Sequence, residues 1–157
     1  LGYTPKFFGC DGLDGILTIE GFDTKLAEGV MLLTPFVATA KDDATVDFVK
    51  KYKDKTGDTP NQFAADAYDV VQVLYKACTE AGVTADMSAS DICDTLKATI
   101  TSGDFSYDGL TGAGMTWDAS GAVSKEPRGM IIENGQYMPL DNSGSASTEA
   151  ETETEAQ

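Results

Sequence analysis

The sequence predicts an α/β fold. Two short apolar runs come first, three stretches of helical periodicity fill the middle, and two-residue alternation takes over at the end. Only two strands precede three helices, a thin sheet for that much helix. Either the late strands complete the sheet or the chain is part of a larger fold, and the second reading accounts for the imbalance better.

The first strand is expected in Lys6-Phe7-Phe8-Gly9-Cys10, which opens into Asp11-Gly12-Leu13-Asp14-Gly15. A strand that runs into a Gly/Asp-rich loop is where α/β proteins place ligand contacts. Gly29 to Thr34, closed by Pro35, reads as a buried strand because its apolar run is continuous. A helix capped by Asp43 runs to Lys55 and ends at Gly57, with Val46, Val49 and Tyr52 along one face. The next begins at Pro60 and stops at Gly82. Its Phe63, Ala67, Val70, Val71, Leu74, Ala77 and Cys78 recur at three- and four-residue spacing, the stripe expected to be buried. Ser88, with Asp91 three residues on, resembles a capping box for a third helix carrying Ile92, Leu96 and Ile100. Met115-Thr116-Trp117 reads as a strand. Arg128 to Glu133 and Gln136 to Pro139 form a hairpin about a type I′ turn at Asn134-Gly135.

The chain has 157 residues, the usual size of one domain, and its 41% apolar share excludes disorder for most of it. The exception is 141–157, which has no basic and no large apolar residue and reads as a disordered acidic tail. A net charge of −15 and a pI near 4.1 make nucleic acid and anionic lipid poor partners. No apolar run approaches the roughly 20 residues a membrane-spanning helix needs. The chain has no His, which removes the commonest general base and metal ligand. Cys10, Cys78 and Cys93 are too few and too dispersed for a cluster, although a Cys78–Cys93 bridge between adjacent helices is conceivable.

Four motifs in register resemble a known family. FVKKYKDKTGDTPNQFAADAYDVVQVLYKACTEAG is similar to the most recurrent stretch of the substrate-binding proteins of ABC transporters, of the branched-chain amino-acid (leucine-binding) type. GCDGLDG resembles that family's ligand-bearing strand-to-loop segment, AEGVMLLTPF its next strand, and DGLTGAGMTWDASGAV its C-terminal signature. The resemblance covers Lys6 to Leu140. It implies the periplasmic-binding-protein type I fold, two αβα lobes closing on a ligand, of which this chain matches the C-terminal portion with the first half absent. On that footing residues 1–34 are a piece of the second lobe with the ligand loop, 35–108 a helical return to the first, and 109–140 late strands crossing back. The resemblance further implies an extracytoplasmic solute-binding component that delivers a small aliphatic amino acid to a membrane permease, with no cofactor and no enzymatic activity. It also implies apolar surface, meant for the other half, left exposed.

A zwitterionic amino acid needs a carboxylate for its ammonium, donors for its carboxylate and an apolar wall for its side chain. By resemblance Asp11 is the ammonium's partner, where many branched-chain binders carry Glu, and its neighbour Gly12 lets the ligand approach closely. Without the resemblance Asp11 reads as a turn or cap residue. Phe63 matches an aromatic that lines the cleft and equally suits an ordinary core position. Tyr68 matches a Tyr-Asp position whose role is packing, with its hydroxyl near the cleft. Asp14 is expected only to solvate its loop, and Trp117 to pack under the hairpin. The groups for the ligand's carboxylate belong to the family's first lobe. Other functions fit less well. Asp11 and Asp14 as an acid–base pair lack any supporting nucleophile or His. The two Asp/Gly loops lack the alternating acids and terminal Glu of a calcium loop. A ligand-sensing module of the same fold, and a different small solute such as an amide, remain alternatives.

Overall fold

The computed structural model describes residue 2 and residues 4–140; the predicted acidic tail lies outside the described residues. A four-stranded sheet forms in the order β1 (Phe8–Gly9), β2 (Met31–Thr34), β3 (Arg128–Glu133), β4 (Gln136–Pro139). β1 runs parallel to β2, while β2–β3 and β3–β4 are antiparallel. Chain ends distant in sequence therefore share one sheet.

Alternation along the strands sorts the side chains. Leu32, Met130 and Ile132 are fully buried on one face and join Ala27 and Val30 in a core. Three 3-10 turns, at Asp11–Leu13, Ile16–Thr18 and Thr24–Ala27, fold back over that core with Leu13, Ile16, Leu17 and Phe22. Gly9 is required here, since a Cβ would come within 2.1 Å of the Leu13 side chain. The register aligns Phe8, Met31, Ile131 and Met138 in one row across the opposite face. Phe8 and Met138 on that row are exposed. The hairpin turns at Asn134 (φ 53°) and Gly135 (φ 69°), the two left-handed positions a type I′ turn demands.

The three helices are α1 (Asp43–Thr56), α2 (Gln62–Glu80) and α3 (Ala89–Ile100). Asp42, rather than the expected Asp43, caps α1 by accepting from Thr45 N at 2.9 Å. Ser88 caps α3 by accepting from Asp91 N at 3.2 Å, and its hydroxyl donates to the Asp91 carboxylate at 2.8 Å. Phe36, Phe48 and Ala65 pack α1 on α2; Val73, Ala77 and Phe105 gather Leu96 and Ile100 of α3 on the same helix. α2 thus buries Gln62, Ala65, Asp69, Val73 and Ala77. Its more apolar stripe points outward, with Phe63 47%, Val70 56%, Val71 62% and Leu74 43% exposed. The periodicity is as predicted, and Ala77 of the expected stripe is buried, but Phe63, Val70, Val71 and Leu74 face outward while Gln62, Ala65, Asp69 and Val73 take the buried positions. Small residues and one carboxylate allow α1, α3 and the 105–117 loop to approach closely, while the stripe stays about half exposed.

The Met115–Trp117 strand does not form. Tyr107 and Met115 exchange backbone hydrogen bonds of 2.9 and 2.8 Å, and Trp117 bridges Val123, as isolated pairs only. Met115 pairs with one neighbour and Trp117 with another, so neither bridge extends into a ladder. Trp117 packs not under the hairpin but on Phe105, with ring centroids 5.8 Å apart. Its loop is fixed by Asp69, buried in α2, whose carboxylate accepts from Leu110 N (3.0 Å), Thr111 N (2.9 Å) and Thr111 Oγ1 (2.7 Å). A half-buried Lys125–Asp66 ion pair then holds the chain where it leaves the helices for β3. All three cysteines are free thiols.

Candidate functional site

β1 ends against the first 3-10 turn, which begins at Asp11. The Asp11 side chain is exposed, and among the described residues its carboxylate accepts no hydrogen bond from another side chain or from the backbone. Its backbone, by contrast, is held: Gln62 Nε2 donates to the Asp11 carbonyl at 3.1 Å. Gly12 beside it is exposed, and a Cβ there would meet nothing within 4 Å. The strand-to-loop turn therefore presents a free carboxylate with open space next to it.

The first turn of α2 supplies the other wall. Asn61 caps it by accepting from Ala64 N at 3.2 Å. Gln62 is fully buried against the 11–15 loop, and this places its neighbour Phe63 on the surface beside that loop. Gln62 thus ties the Asp11 turn to the start of α2, where Phe63 is the next residue along the helix. Tyr68 lies elsewhere on α2: five residues beyond Phe63 is about 140° around the helix. Its ring packs on Phe48 with centroids 5.1 Å apart.

Asp14 does not merely solvate its loop. Its Oδ2 accepts from Gln62 N at 2.7 Å, closing a contact 48 residues long. Burial pushes the Asp14 carboxyl above the ordinary carboxylate range; hydrogen bonds from the Gln62 and Gly15 backbones and the Tyr137 hydroxyl oppose that, and the charge of Asp66 adds to it. Tyr137 of β4 accepts from Gly15 N at 3.0 Å, and its own ionisation is pushed up, chiefly by burial. Asp14, Tyr137, Asn61 and Phe36 line a cavity of about 370 Å³ between the loop, the hairpin and the start of α2. Asp11 and Phe63 are not among its lining residues. Sequence reasoning missed Gln62 entirely and misjudged Asp14; the available signal was an Asp placed three residues after Asp11, inside a loop with two other small turns. Among the described residues no cluster of acids or thiols is arranged to hold a metal ion.

A sequence model described as periplasmic binding protein matches residues 1–131. No curated protein matches. Among solved structures, a Rhodospirillum rubrum protein assigned to branched-chain amino acid ABC transport shares 26% identity over 88% of this chain and 38% of its own, with a TM-score of 0.58. The branched-chain amino acid transporter substrate-binding protein LivJ of Streptococcus pneumoniae, solved with isoleucine, shares 23% over 87% of this chain and 36% of its own, TM-score 0.67. A Rhodopseudomonas palustris ABC-transporter solute-binding protein, solved with benzoate, shares 17% over 86% and 35%, TM-score 0.68. The chain spans 35–38% of the length of these three proteins. No helix among the described residues is long and apolar enough to cross a membrane. The mixed sheet and its three helices are part of a periplasmic-binding-protein type I fold, and the chain belongs to the periplasmic binding protein family.

Proposed function

We propose that this chain is the C-terminal portion of an extracytoplasmic solute-binding component of an ABC importer, and that its ligand is a small amino acid of the branched-chain or another aliphatic type. Asp11 pairs with the ligand's ammonium, Gly12 leaves it room, and Phe63 forms part of the apolar wall. Tyr68 supports α2 from the α1 side. The carboxylate donors come from the other lobe. Residues 1–34 and 109–140 then belong mainly to one lobe, and 35–108 to the other. Closure of the lobes on the ligand presents a surface to the permease; the role is binding, without chemistry on the solute.

One observation supports this reading: the exposed Asp11 carboxylate at the end of β1, its backbone fixed by Gln62 and its oxygens unspoken for among the described residues. Solved relatives hold ligands as different as isoleucine and benzoate. A carboxylate facing the ligand favours the first kind, since benzoate brings only a second negative charge. The outward stripe of α2 and the exposed row on the sheet are consistent with surfaces that the rest of a bilobed fold covers. The test is calorimetric titration of the full-length protein with leucine, isoleucine, alanine, an aliphatic amide and benzoate. Tight one-to-one binding of an aliphatic amino acid is the expected outcome. Binding of benzoate or the amide, with none of any amino acid, overturns the ammonium role of Asp11 and leaves the alternative of another small solute.

A further inference from the structure

Gln62 is a polar side chain in a place that would accept an apolar one. It is 1% exposed, and its Oε1 is buried with no hydrogen-bond partner among the described residues. A buried acceptor left unpaired carries its desolvation penalty uncompensated, and a Met or Leu of similar volume would avoid it. Rotating the amide by half a turn does not help, because Oε1 would then face the Asp11 carbonyl, acceptor against acceptor. What the amide does contribute is its donor, 3.1 Å from that carbonyl. Its backbone N–H adds the 2.7 Å bond to Asp14. At the far end of the loop the Tyr137 hydroxyl holds Gly15 N. The 11–15 loop is therefore pinned at three points, the Asp11 carbonyl, the Asp14 carboxylate and the Gly15 N–H, while the Asp11 carboxylate stays free.

We propose that Gln62 is the positioning residue of the ligand site: it fixes the Asp11 loop at a set offset from Phe63, the next residue along α2. The proposal rests on the reading of Asp11 as the ammonium's partner. Both walls of the site then hang on one residue, so loss of the side-chain donor lets Asp11 drift while Phe63 stays on its helix. The consequence is selective. Recognition of the ammonium weakens; recognition of the rest of the ligand does not.

The measurement is the ratio of affinities for leucine and for its 2-hydroxy acid analogue, which lacks the ammonium, in the full-length protein. Three variants are compared with wild type: Gln62→Met, which keeps volume and the backbone N–H but removes the donor; Gln62→Asn, which retains a shortened amide; and Asp11→Asn. The expected result is a ratio that falls about tenfold or more in Gln62→Met, approaching that of Asp11→Asn, with a smaller fall in Gln62→Asn. A merely structural Gln62 lowers both affinities together and leaves the ratio unchanged. An unchanged ratio in Gln62→Met alongside a collapsed one in Asp11→Asn overturns the positioning role and leaves the reading of Asp11 standing. A ratio unchanged in Asp11→Asn, or no leucine binding by wild type, overturns that reading and the proposal with it. If Gln62→Met does not fold, Gln62→Asn decides alone: a ratio equal to wild type, with the amide withdrawn by one methylene, counts against the proposal.

Discussion

Replacing Asp69 by Ala tests how the 105–117 loop is held to α2. The carboxylate is 4% exposed and accepts two backbone N–H groups and one hydroxyl, from Leu110 and from Thr111, itself 2% exposed. The Thr111 hydroxyl can rotate towards another acceptor, but the two N–H groups cannot move and are left stranded. At about 1–3 kcal/mol for each buried donor without a partner, the truncation costs about 3–4 kcal/mol. That is a large fraction of the roughly 5–15 kcal/mol a domain possesses. Asp69→Asn retains one acceptor oxygen and turns an NH2 against the other N–H, so it costs less, about 1–2 kcal/mol. Gly109→Ala attacks the same contact from outside: its Cβ would lie 2.5 Å from Asp69 Oδ2 and 2.8 Å from the Met115 methyl. Urea unfolding of the full-length protein reads all three, with Trp117 as the local probe because it packs on Phe105 at the base of this loop. The losses in Asp69→Ala and Gly109→Ala are expected to be strongly non-additive in the double variant, since both break one contact. A cost below about 1 kcal/mol for Asp69→Ala, or full additivity, refutes the reasoning.

Asp14 predicts a pH signature. Burial raises its folded-state pKa above the ordinary value of 3.8. The folded state therefore holds the proton more tightly than the unfolded one, and stability falls as pH rises through the folded value. Asp14→Asn lacks this slope, so its stability relative to wild type climbs in thermal melts as pH rises from the ordinary value of 3.8 through the folded one, whereas a constant difference contradicts the assignment. Phe63→Ala removes an aromatic that is 47% exposed, so little stability is lost. Side-chain preference among aliphatic amino acids shifts instead, and unchanged preference with a lowered melting temperature returns Phe63 to a packing role.

Local chemistry made the hairpin and the helix limits legible. Asn134-Gly135 is one of few dipeptides that tolerate two left-handed positions, and it turned where its type demands. Gly57, at φ 84°, closed α1 for the same reason. The buried face of α2 was not legible, because amphipathicity ranks faces by apolarity without saying which neighbours are present. Asp69 was hidden for a related cause: a carboxylate in mid-helix reads as solvated until a loop 41–42 residues away brings its donors. In the site, Asp11 and Phe63 came from resemblance, and the structure adds that the Asp11 carbonyl is held by Gln62. Gln62 itself gave no sequence signal, since a Gln at a helix start is unremarkable until its two partners, 48 and 51 residues back, are placed. The predicted strand at Met115–Trp117 failed because alternation alone cannot supply a partner strand.

If Asp11 is the partner of a ligand ammonium, removal of its charge weakens binding by an amount that depends on how far the pair is desolvated. An exposed ion pair is worth about 0–1 kcal/mol, whereas one desolvated between closed lobes costs about 2–5 kcal/mol when one member is removed. Calorimetric titration of the full-length protein with its tightest-binding amino acid, wild type against Asp11→Asn, separates the two. A loss of about 2–4 kcal/mol, equivalent to roughly 30- to 1,000-fold in affinity, is the result predicted for a desolvated pair. Wild-type affinity in Asp11→Asn contradicts the account.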